Sequence, residues 1–304
     1  MNKIKMFKKM SVTLLMITMT VILAVSPAFA SENEIGPGNC EYFQGEELRM
    51  LSNQSESQMM SFVLTSKNGA VIVIDGGTEE DAAHLREVLA EKGNHVNAWF
   101  ITHPHSDHAG ALTRIIEEGA GPLIIDSVYY NFAGPEWYRA NEEYRADFAE
   151  RVRSAVGTLG DKAKVMHRGD VIDADGISVL CMNDPYLIPS NAINNSSSAL
   201  KVEMGGKKIL FLGDMGVEAG DMFLADHAGE DLGCDMVQMA HHGQNGVGRN
   251  VYEAIHPHVC LWCAPGWLYD DPYSRYRTGE VRNWMKQMNV NNNQTIKNGD
   301  RILK

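Results

Sequence analysis

Residues 101–110 read ITHPHSDHAG, in which three histidines and one carboxylate fall within six positions after an apolar run. Zinc accepts histidine nitrogen and aspartate oxygen, and a turn after a strand can direct consecutive side chains at one point. We therefore expect His103 and His105 to bind one ion, and Asp107 and His108 to bind a second ion beside it. The spacing predicts a two-metal site.

Three further apolar runs end in residue types that bind metals. Asp214 follows a glycine at the end of one run, where its carboxylate is suited to bridge two ions. His241 and His242 follow another run, and Asp75 follows an early one, where it is suited to orient a histidine ligand. A single aspartate after a strand is more often a turn residue or a helix cap. Four such strand ends in one chain favour a shared site.

The spacing of apolar residues predicts strands and helices that alternate in each half of the chain. Strands are predicted at residues 61–65, 70–74, 96–101, 123–130, 177–182, 198–204, 208–212, 236–240 and 259–263. Helices are predicted at residues 79–92, 107–118, 135–159, 217–226 and 275–288, with another near Val251. Two such series favour two packed sheets with helices outside them. The predicted fold class is α/β, as a four-layer αββα sandwich.

The first thirty residues have the features of a signal peptide. Four lysines precede an apolar run at residues 11–25, and residues 28–30 read AFA, which suits cleavage. An uncleaved membrane anchor is the less favoured alternative, because a spanning helix needs about 20 apolar residues. We expect a secreted, extracellular protein with no stable membrane anchor after cleavage. The mature chain, residues 31–304, is predicted to be a single domain because no linker or repeat divides it.

The charge of the chain bears on its partners. The formal net charge is −12, and it becomes −16 without the four lysines of the predicted signal peptide. A surface this acidic repels phosphate backbones. A long nucleic acid is therefore not expected as a partner.

The five cysteines are an odd number for a chain that we expect to be exported, so at least one is unpaired or pairs with another chain. Cys260 and Cys263 have the spacing of a redox or zinc-binding pair. However, they lie in a predicted strand, where residues three apart face opposite sides. No second pair is present to complete a structural zinc site, so buried strand cysteines are favoured.

The ordered set of candidate ligands resembles the metallo-β-lactamase-fold hydrolase superfamily over nearly the whole predicted mature chain. The matching residues are Asp75, His103-x-His105-x-Asp107-His108, Asp214 and His241-His242-Gly243. The resemblance implies an αββα sandwich and a dinuclear zinc site, two Zn²⁺ per chain, with a metal-bound hydroxide as nucleophile. It implies that His103 and His105 bind the first zinc and that Asp214 bridges. Asp107, His108 and one histidine of the 241–242 pair match the second zinc; strand-end position favours His241.

One departure from the superfamily pattern bears on the substrate. Several branches supply a further histidine before the bridging aspartate, often in Gly-His-Thr, and this chain has Asn194-Asn195-Ser196-Ser197-Ser198 instead. His167 lies too early and is interpreted as a surface residue. This pattern resembles the branch that contains the DNA-uptake competence nuclease domain and the cell-wall phosphorylcholine esterases, which cleave phosphodiesters. The resemblance implies a small-molecule or cell-wall ester as substrate. Asn194 and Asn195 are expected to support the ligands from outside.

Two aromatic stretches are candidates for substrate contacts. Trp137 lies in the first, and Trp267 and Tyr269 lie in the second, beside Asp270 and Asp271. Most aromatic residues at such spacing belong to the core or to a cleft wall. The alternative is a cage for a quaternary ammonium, because ring faces and carboxylates attract such cations.

These observations predict a secreted dinuclear zinc hydrolase that cleaves a phosphodiester. Asp214 holds the two ions together, Asp107 orients the nucleophile, and the non-ligating histidine, His242 if His241 binds zinc, stabilises the developing oxyanion. Two alternatives remain open. One is a lactone, thioester or β-lactam hydrolase of the same fold, and the other is a catalytically inactive metal-binding extracellular protein.

Overall fold

Secondary structure is available from a computed structural model that describes residues 33–34, 42–271, 273 and 275–304. The predicted signal peptide and Cys40 lie outside these residues. The strands are β1 (Asn33–Glu34), β2 (Glu47–Met50), β3 (Ser61–Thr65), β4 (Val71–Asp75), β5 (His95–Val96), β6 (Ala98–Ile101), β7 (Ile124–Ile125), β8 (Val128–Tyr130), β9 (Ala163–Val165), β10 (Val171–Ala174), β11 (Ile177–Cys181), β12 (Leu200–Met204), β13 (Lys207–Phe211), β14 (Met236–Gln238), β15 (Val259–Trp262), β16 (Asn292–Thr295) and β17 (Arg301–Leu303). The helices are α1 (Ala82–Glu91), α2 (Ser106–Glu117), α3 (Pro135–Asn141), α4 (Glu143–Gly157), α5 (Ala192–Asn195), α6 (Val217–Asp226), α7 (Arg249–Ile255), α8 (Gly266–Tyr269) and α9 (Thr278–Gln287).

The first large sheet has the strand order β17-β2-β3-β4-β6-β8-β9. β3 and β4 form an antiparallel hairpin in which Ser61 lies opposite Asp75. β4, β6 and β8 then run parallel, and α1 and α2 connect them in sequence. Because parallel strands end at the same edge of a sheet, the end of β4 at Asp75 lies beside the end of β6, where the histidine motif begins.

The second large sheet has the strand order β1-β16-β15-β14-β13-β12-β11-β10. β12 and β13 form a hairpin through Gly205 and Gly206, whose positive φ angles suit a tight two-residue turn. β13, β14 and β15 run parallel. Their carboxyl ends therefore share one edge, and they lead into Asp214, the His241-His242 pair and Cys263.

Two clusters of buried apolar residues hold these layers together. The first joins the two sheets to α1, α2 and α4, and it includes an edge-to-face contact between Phe62 of β3 and Phe211 of β13 at 4.8 Å. The second packs α6, α7 and α9 against the other face of the second sheet. The prediction of an α/β, four-layer αββα sandwich is confirmed. Among the described helices, none is long and apolar enough to cross a membrane.

Several predicted elements differ in the structure. The strand predicted at 123–130 is divided into β7 and β8, which belong to different sheets. The helix predicted at 135–159 is divided into α3 and α4 at Glu142, whose φ of −148° and ψ of 56° are not helical. The carboxylate of Glu142 is buried there and accepts a hydrogen bond from the main chain of Ile193, so a tertiary contact overrides the helical pattern. The strand predicted at 236–240 ends two residues earlier, at Gln238, because the backbone turns before the histidine pair.

The described cysteines are unpaired and buried. Cys260 belongs to the cluster on the helix-covered face of the second sheet, and Cys263 belongs to the cluster between the sheets. The two thiols therefore point to opposite faces, as strand geometry requires. This arrangement agrees with the interpretation of Cys260 and Cys263 as core residues.

Candidate metal centre

Asp75 anchors the histidine motif to the end of β4. Its carboxylate accepts hydrogen bonds from the main chain and the hydroxyl of Thr102, both at 2.8 Å. The same carboxylate lies 2.8 Å from Nδ1 of His108. Because an ionised carboxylate only accepts, His108 carries its proton on Nδ1 and presents Nε2 to the site. Asp75 thus occupies the orienting position predicted from the sequence.

His103 and His105 place two ring nitrogens at one point. Nε2 of His103 lies 3.2 Å from Nδ1 of His105, and both residues are buried. On the far side of each ring, Nδ1 of His103 lies 3.1 Å from the Thr102 hydroxyl, and Nε2 of His105 lies 3.4 Å from Oε1 of Glu142. Together with Asp214, the two histidines form one group of side chains that can hold a metal ion.

A second group that can hold a metal ion consists of Asp107, His108, Asp214 and His242. Nε2 of His242 lies 3.3 Å from Oδ2 of Asp107 and 3.5 Å from Oδ2 of Asp214. Nε2 of His108 lies 3.2 Å from the same Asp214 oxygen. The carboxylate of Asp214 is therefore common to both groups, which is the geometry of a bridging ligand.

Asp214 is held in place by the turn that follows β13. Gly213 has a φ of +55°, and an added Cβ would lie 2.9 Å from the Ser197 side chain, so only glycine fits without displacement. The hydroxyl of Ser197 accepts a hydrogen bond from the main chain of Asp214 at 3.1 Å. Gln238 bridges the ends of β13 and β14 through Leu212 and Gly213. Ser197 belongs to the segment 194–198 that departs from the superfamily pattern, whereas no local motif marks Gln238.

The histidine pair corrects one expectation. The structure places His242, rather than His241, in the second group, and Nε2 of His241 lies 3.8 Å from Asp214. Both residues have left-handed backbone angles, with φ of 52° and 56°. This tight turn directs the second histidine inward, where its Nδ1 donates a hydrogen bond to the carbonyl of Cys263 at 2.9 Å. Strand-end position was therefore the wrong criterion for choosing between them.

The cluster attracts positive charge. Burial opposes protonation of His108 and His242, but the Asp214 carboxylate raises the pKa of His108 well above its usual value and that of His242 to about 9. Burial lowers the pKa of His103 well below its usual value, and His108 lowers it further, which leaves the His103 ring neutral. A divalent cation supplies the charge that protons would otherwise supply.

The residues present fit a pair of zinc ions. Ligand atoms with no hydrogen-bond partner are buried in the cluster, and they are Asp107 Oδ1, Asp214 Oδ1, His108 Nε2 and His242 Nε2. Tetrahedral zinc with bonds of about 2.0–2.1 Å places neighbouring ligand atoms about 3.3 Å apart. The closest nitrogen–nitrogen and nitrogen–oxygen pairs of the cluster lie 3.2–3.5 Å apart. The nitrogen and oxygen donors are those that zinc accepts.

The segment 194–198, which replaces the further histidine that other branches have before the bridging aspartate, reaches the site. Nδ2 of Asn194 lies 3.3 Å from Nε2 of His241, and Oδ1 of Asn194 is buried without a hydrogen-bond partner. Asn195 has a structural position, because its side chain joins the main chains of Ser190 and Gly216. Asn194 therefore faces the site, whereas Asn195 supports the loop after Asp214.

Three polar residues near the ligands were missed in the sequence. Nε2 of Gln58 lies 3.4 Å from Oδ2 of Asp107, and the Gln244 amide donates to Gln58 at 2.9 Å. Glu142 lies beside His105. Gln244 directly follows the His-His-Gly motif, which could have marked it. Gln58 and Glu142 come from a loop and a helix break that carry no local metal-site signal.

The three residues predicted to contact the substrate lie in different surroundings in the structure. Tyr269 is fully buried in the core, and Arg282 lies over its ring at 4.5 Å, so Tyr269 cannot contact a substrate. Trp137 is half-buried on α3, with a buried Nε1 that has no hydrogen-bond partner. Trp267 is 41% exposed. The rings of Tyr273 and Tyr276 already face the Arg275 guanidinium, at 5.9 and 5.6 Å, which weighs against a quaternary-ammonium cage there.

Trp267 borders a polar groove of about 660 Å³ between residues 52–56 and 265–267. Its indole donates a hydrogen bond to the carbonyl of Glu56 at 3.0 Å, which fixes the ring at the groove wall. Gln58, whose side chain reaches Asp107, is two residues further along this loop. The segment that forms one wall of the groove therefore leads along the chain to a residue that contacts the metal centre.

Comparison with known proteins agrees with the fold. The family model described as Metallo-beta-lactamase superfamily matches residues 57–255. The metallo-beta-lactamase fold protein YhfI from Bacillus subtilis is 11% identical with a TM-score of 0.51, over 86% of this chain and 100% of that chain. The CmlA beta-hydroxylase E377D mutant is 13% identical with a TM-score of 0.53, over 87% of this chain and 55% of that chain. No curated protein sequence matches significantly. The chain belongs to the metallo-beta-lactamase superfamily, as a metallo-beta-lactamase-fold hydrolase with candidate metal-binding residues.

Proposed function

We propose that the protein is a secreted hydrolase that binds two zinc ions and cleaves a phosphodiester in a small or cell-wall-linked substrate. The observation that carries the proposal is the pair of ligand groups that share Asp214. The Asn194 side chain beside His241 supports phosphorus chemistry, because it brings the histidine-free segment of the phosphodiesterase-like branch into the site. A fold alone would be a thin argument for function, so the proposal depends on these side chains.

The chain's own residues would hold the two ions in different ways. His103, His105 and Asp214 would hold the first ion, and Asp107, His108, His242 and Asp214 would hold the second. When bound, two zinc ions lower the pKa of a water molecule and polarise the oxygen of the scissile group. The hydrogen bonds of His108 to Asp75 and of His242 to Cys263 keep the ligand nitrogens directed inward.

Two residues at the site are placed to act on the reactants. Oδ1 of Asp107 is buried without a hydrogen-bond partner; burial raises the pKa of Asp107, but its contacts with His242 and His108 hold that pKa below its usual value. Asp107 can therefore accept a hydrogen bond from the attacking water and fix its direction. The His241 side chain is 17% exposed at the opening of the site, where it can contact the phosphoryl oxygens.

The proposed substrate is polar and compact at the scissile bond. The groove beside Trp267 has mostly hydroxyl and amide side chains in its 52–56 wall, which suits a hydroxylated leaving group. The net charge of −12 disfavours long nucleic acids. Secretion is proposed from the lysines, apolar run and small residues at the N-terminus.

The proposal is tested by hydrolysis of bis(p-nitrophenyl) phosphate and p-nitrophenyl phosphorylcholine by the zinc-loaded protein. Asp214→Asn keeps the shape of the side chain but removes its charge, and Asp161→Ala changes an exposed carboxylate far from the motif. We expect turnover by the protein and by Asp161→Ala. We expect turnover to disappear with a chelator and in Asp214→Asn.

The two phosphodiesters distinguish a general phosphodiesterase from an enzyme that requires choline in its substrate. Cleavage of both would establish phosphodiesterase activity without a requirement for choline. If two zinc ions bind and neither diester is cleaved, whereas a lactone, a thioester or a β-lactam is, the alternative hydrolase replaces the proposal. Full zinc loading with no turnover of any of these esters would instead favour a metal-binding protein without catalytic activity.

A further inference from the structure

Each histidine in the two ligand groups has one ring nitrogen that faces the metal positions and one that faces away. A ligating histidine is usually oriented by a carboxylate, a carbonyl or a water at its outer nitrogen, which fixes the tautomer and the direction of the ring. His103 faces the Thr102 hydroxyl, His108 faces the Asp75 carboxylate, and His242 faces the Cys263 carbonyl. For these three rings, the partner belongs to a strand end.

His105 is different, because the group at its outer nitrogen comes from the α3–α4 break. Oε1 of Glu142 lies 3.4 Å from Nε2 of His105, and both side chains are at most 5% exposed. This is an ion-pair contact rather than a well-formed hydrogen bond, because Nε2 of His105 is buried without a hydrogen-bond partner. Glu142 is absent from the described groups that can hold a metal ion, whereas His105 belongs to one. The carboxylate therefore lies behind the ring rather than at the metal position.

We propose that Glu142 is the positioning residue for the first metal site, and that the negative charge of its carboxylate holds the ring proton of His105 on Nε2. The inference rests on the metal-binding part of the proposed function and not on its substrate. With the proton held on Nε2, Nδ1 of His105 is free to bind the ion beside Nε2 of His103. The break between α3 and α4 is then explained, because a continuous helix would not turn Glu142 toward His105.

The other carboxylate oxygen of Glu142 connects this site to the Asn194 segment. Oε2 accepts a hydrogen bond from the main chain of Ile193 at 2.9 Å, one residue before Asn194. Arg145 also lies near Glu142, with Nε 3.7 Å from Oε1, but its side chain is 43% exposed. The buried contacts of Glu142 thus run to His105 and Ile193, and its contact with Arg145 lies toward solvent.

The substitution Glu142→Gln separates metal positioning from helix support. The amide oxygen of glutamine can still accept the hydrogen bond from Ile193, so the fold at α5 is retained. Its amide nitrogen would then face Nε2 of His105, where a donor opposes the required tautomer. Arg145→Gln is the matched control, because it removes the charge that pairs with Glu142 and leaves the contact with His105 in place.

The experiment measures zinc affinity by chelator competition and the absorption spectrum of the cobalt-substituted protein. We expect Glu142→Gln to lower the affinity for one of the two zinc ions by about 10–100-fold and to change the absorption spectrum of the cobalt-substituted protein. The melting temperature of the metal-free variant should stay that of the unsubstituted protein. Arg145→Gln should bind both ions with unchanged affinity.

Two outcomes would overturn the assignment of Glu142. The first is a Glu142→Gln variant that binds both ions as tightly as the unsubstituted protein. The second is a loss of affinity accompanied by a matching loss of stability without metal, since this would assign the carboxylate to the support of Ile193. Failure to cleave a phosphodiester would refute the proposed substrate and leave this measurement unaffected.

Discussion

Nδ1 of His242 donates a hydrogen bond to the main-chain carbonyl of Cys263 at 2.9 Å. A carbonyl oxygen only accepts, so this bond fixes a proton on Nδ1 and leaves Nε2 as the nitrogen that faces the ligand group. Nε2 points at Asp107 and Asp214, at 3.3 and 3.5 Å. The end of β15 therefore selects which histidine of the pair can serve as a metal ligand.

We expect His242→Ala to lose one of two bound zinc ions and His241→Ala to keep both. His242 contributes a buried nitrogen to the second ligand group, whereas Nε2 of His241 lies 3.8 Å from Asp214 and outside that group. Native mass spectrometry of the two zinc-loaded variants gives the stoichiometry directly. The reverse result, with the ion lost only in His241→Ala, would contradict the ligand assignment.

A second prediction concerns pH and the partly buried pair of His84 and Asp300. The hydrogen bond to Asp300, with Nε2 of His84 2.9 Å from Oδ1, raises the pKa of His84. Burial would raise the pKa of Asp300, but hydrogen bonds from His84 and Ser52 lower it. The stabilisation that comes from protonated His84 is fully present below the unfolded pKa of histidine, about 6.5. It is lost as pH rises through the pKa of His84 in the folded protein. The stabilisation that comes from ionised Asp300 is fully present above the unfolded pKa of aspartate, about 3.9. It is lost as pH falls through the pKa of Asp300 in the folded protein.

The pair should therefore stabilise the fold most between about pH 4 and 6.5. We expect His84→Gln to lower the free energy of unfolding by about 1–3 kcal/mol near pH 5.5, and by less at pH 9. Urea unfolding of the metal-free protein at both values measures the difference. His95→Gln is the control, because the His95–Asp126 pair is about half exposed and should contribute at most about 1 kcal/mol. A deficit for His84→Gln that does not change with pH would contradict the argument.

The strand-end residues could be predicted from sequence because their positions follow from local rules. An apolar run ends, the next residues lie at the sheet edge, and parallel strands bring such edges together. This reasoning placed Asp75, the 103–108 motif and Asp214 at one site, where the structure has them. It worked because ligand identity and strand end are both visible in a short window of sequence.

Other features of the site could not be predicted, because they depend on backbone angles and on contacts between residues that are distant in the sequence. The choice of His242 over His241 follows from two left-handed residues in succession. The burial of Glu142 requires a break in a helix whose pattern looks continuous, and the burial of Tyr269 depends on packing against Trp262. Tertiary packing decided these three points against the local preference.

A third prediction concerns the groove beside Trp267. Its indole ring is fixed by the hydrogen bond to Glu56 and remains 41% exposed. We expect Trp267→Ala to raise KM several-fold for a diester with a large hydroxylated leaving group, because the ring buries part of that group. The KM for bis(p-nitrophenyl) phosphate should change little. Tyr273→Ala removes a ring that is 77% exposed and does not line the groove, so it should affect neither substrate.

Equal effects of Trp267→Ala on the large and the small diester would indicate a distorted metal centre rather than a lost contact. Zinc stoichiometry distinguishes these cases, since the loop that lines the groove continues to Gln58 and Met60, which contact Asp107. An unchanged KM for every substrate would remove the groove from the binding site.

The last prediction concerns Gly243, which completes the turn that directs His242 inward. Its φ is +79°, and an added Cβ would lie 2.2 Å from the ring of Trp262, a fully buried side chain. We expect Gly243→Ala to lower the free energy of unfolding by about 2–4 kcal/mol, because alanine is strained in the left-handed backbone and its Cβ overpacks the Trp262 ring. We also expect it to lower the affinity for the second zinc ion. Gly157→Ala is the control, because nothing lies within 4 Å of its added Cβ and it ends α4, so it should be neutral or slightly stabilising. Urea unfolding without metal, followed by zinc titration, measures both effects. If Gly243→Ala were as stable as the unsubstituted protein and bound two ions normally, the turn could not be what directs His242.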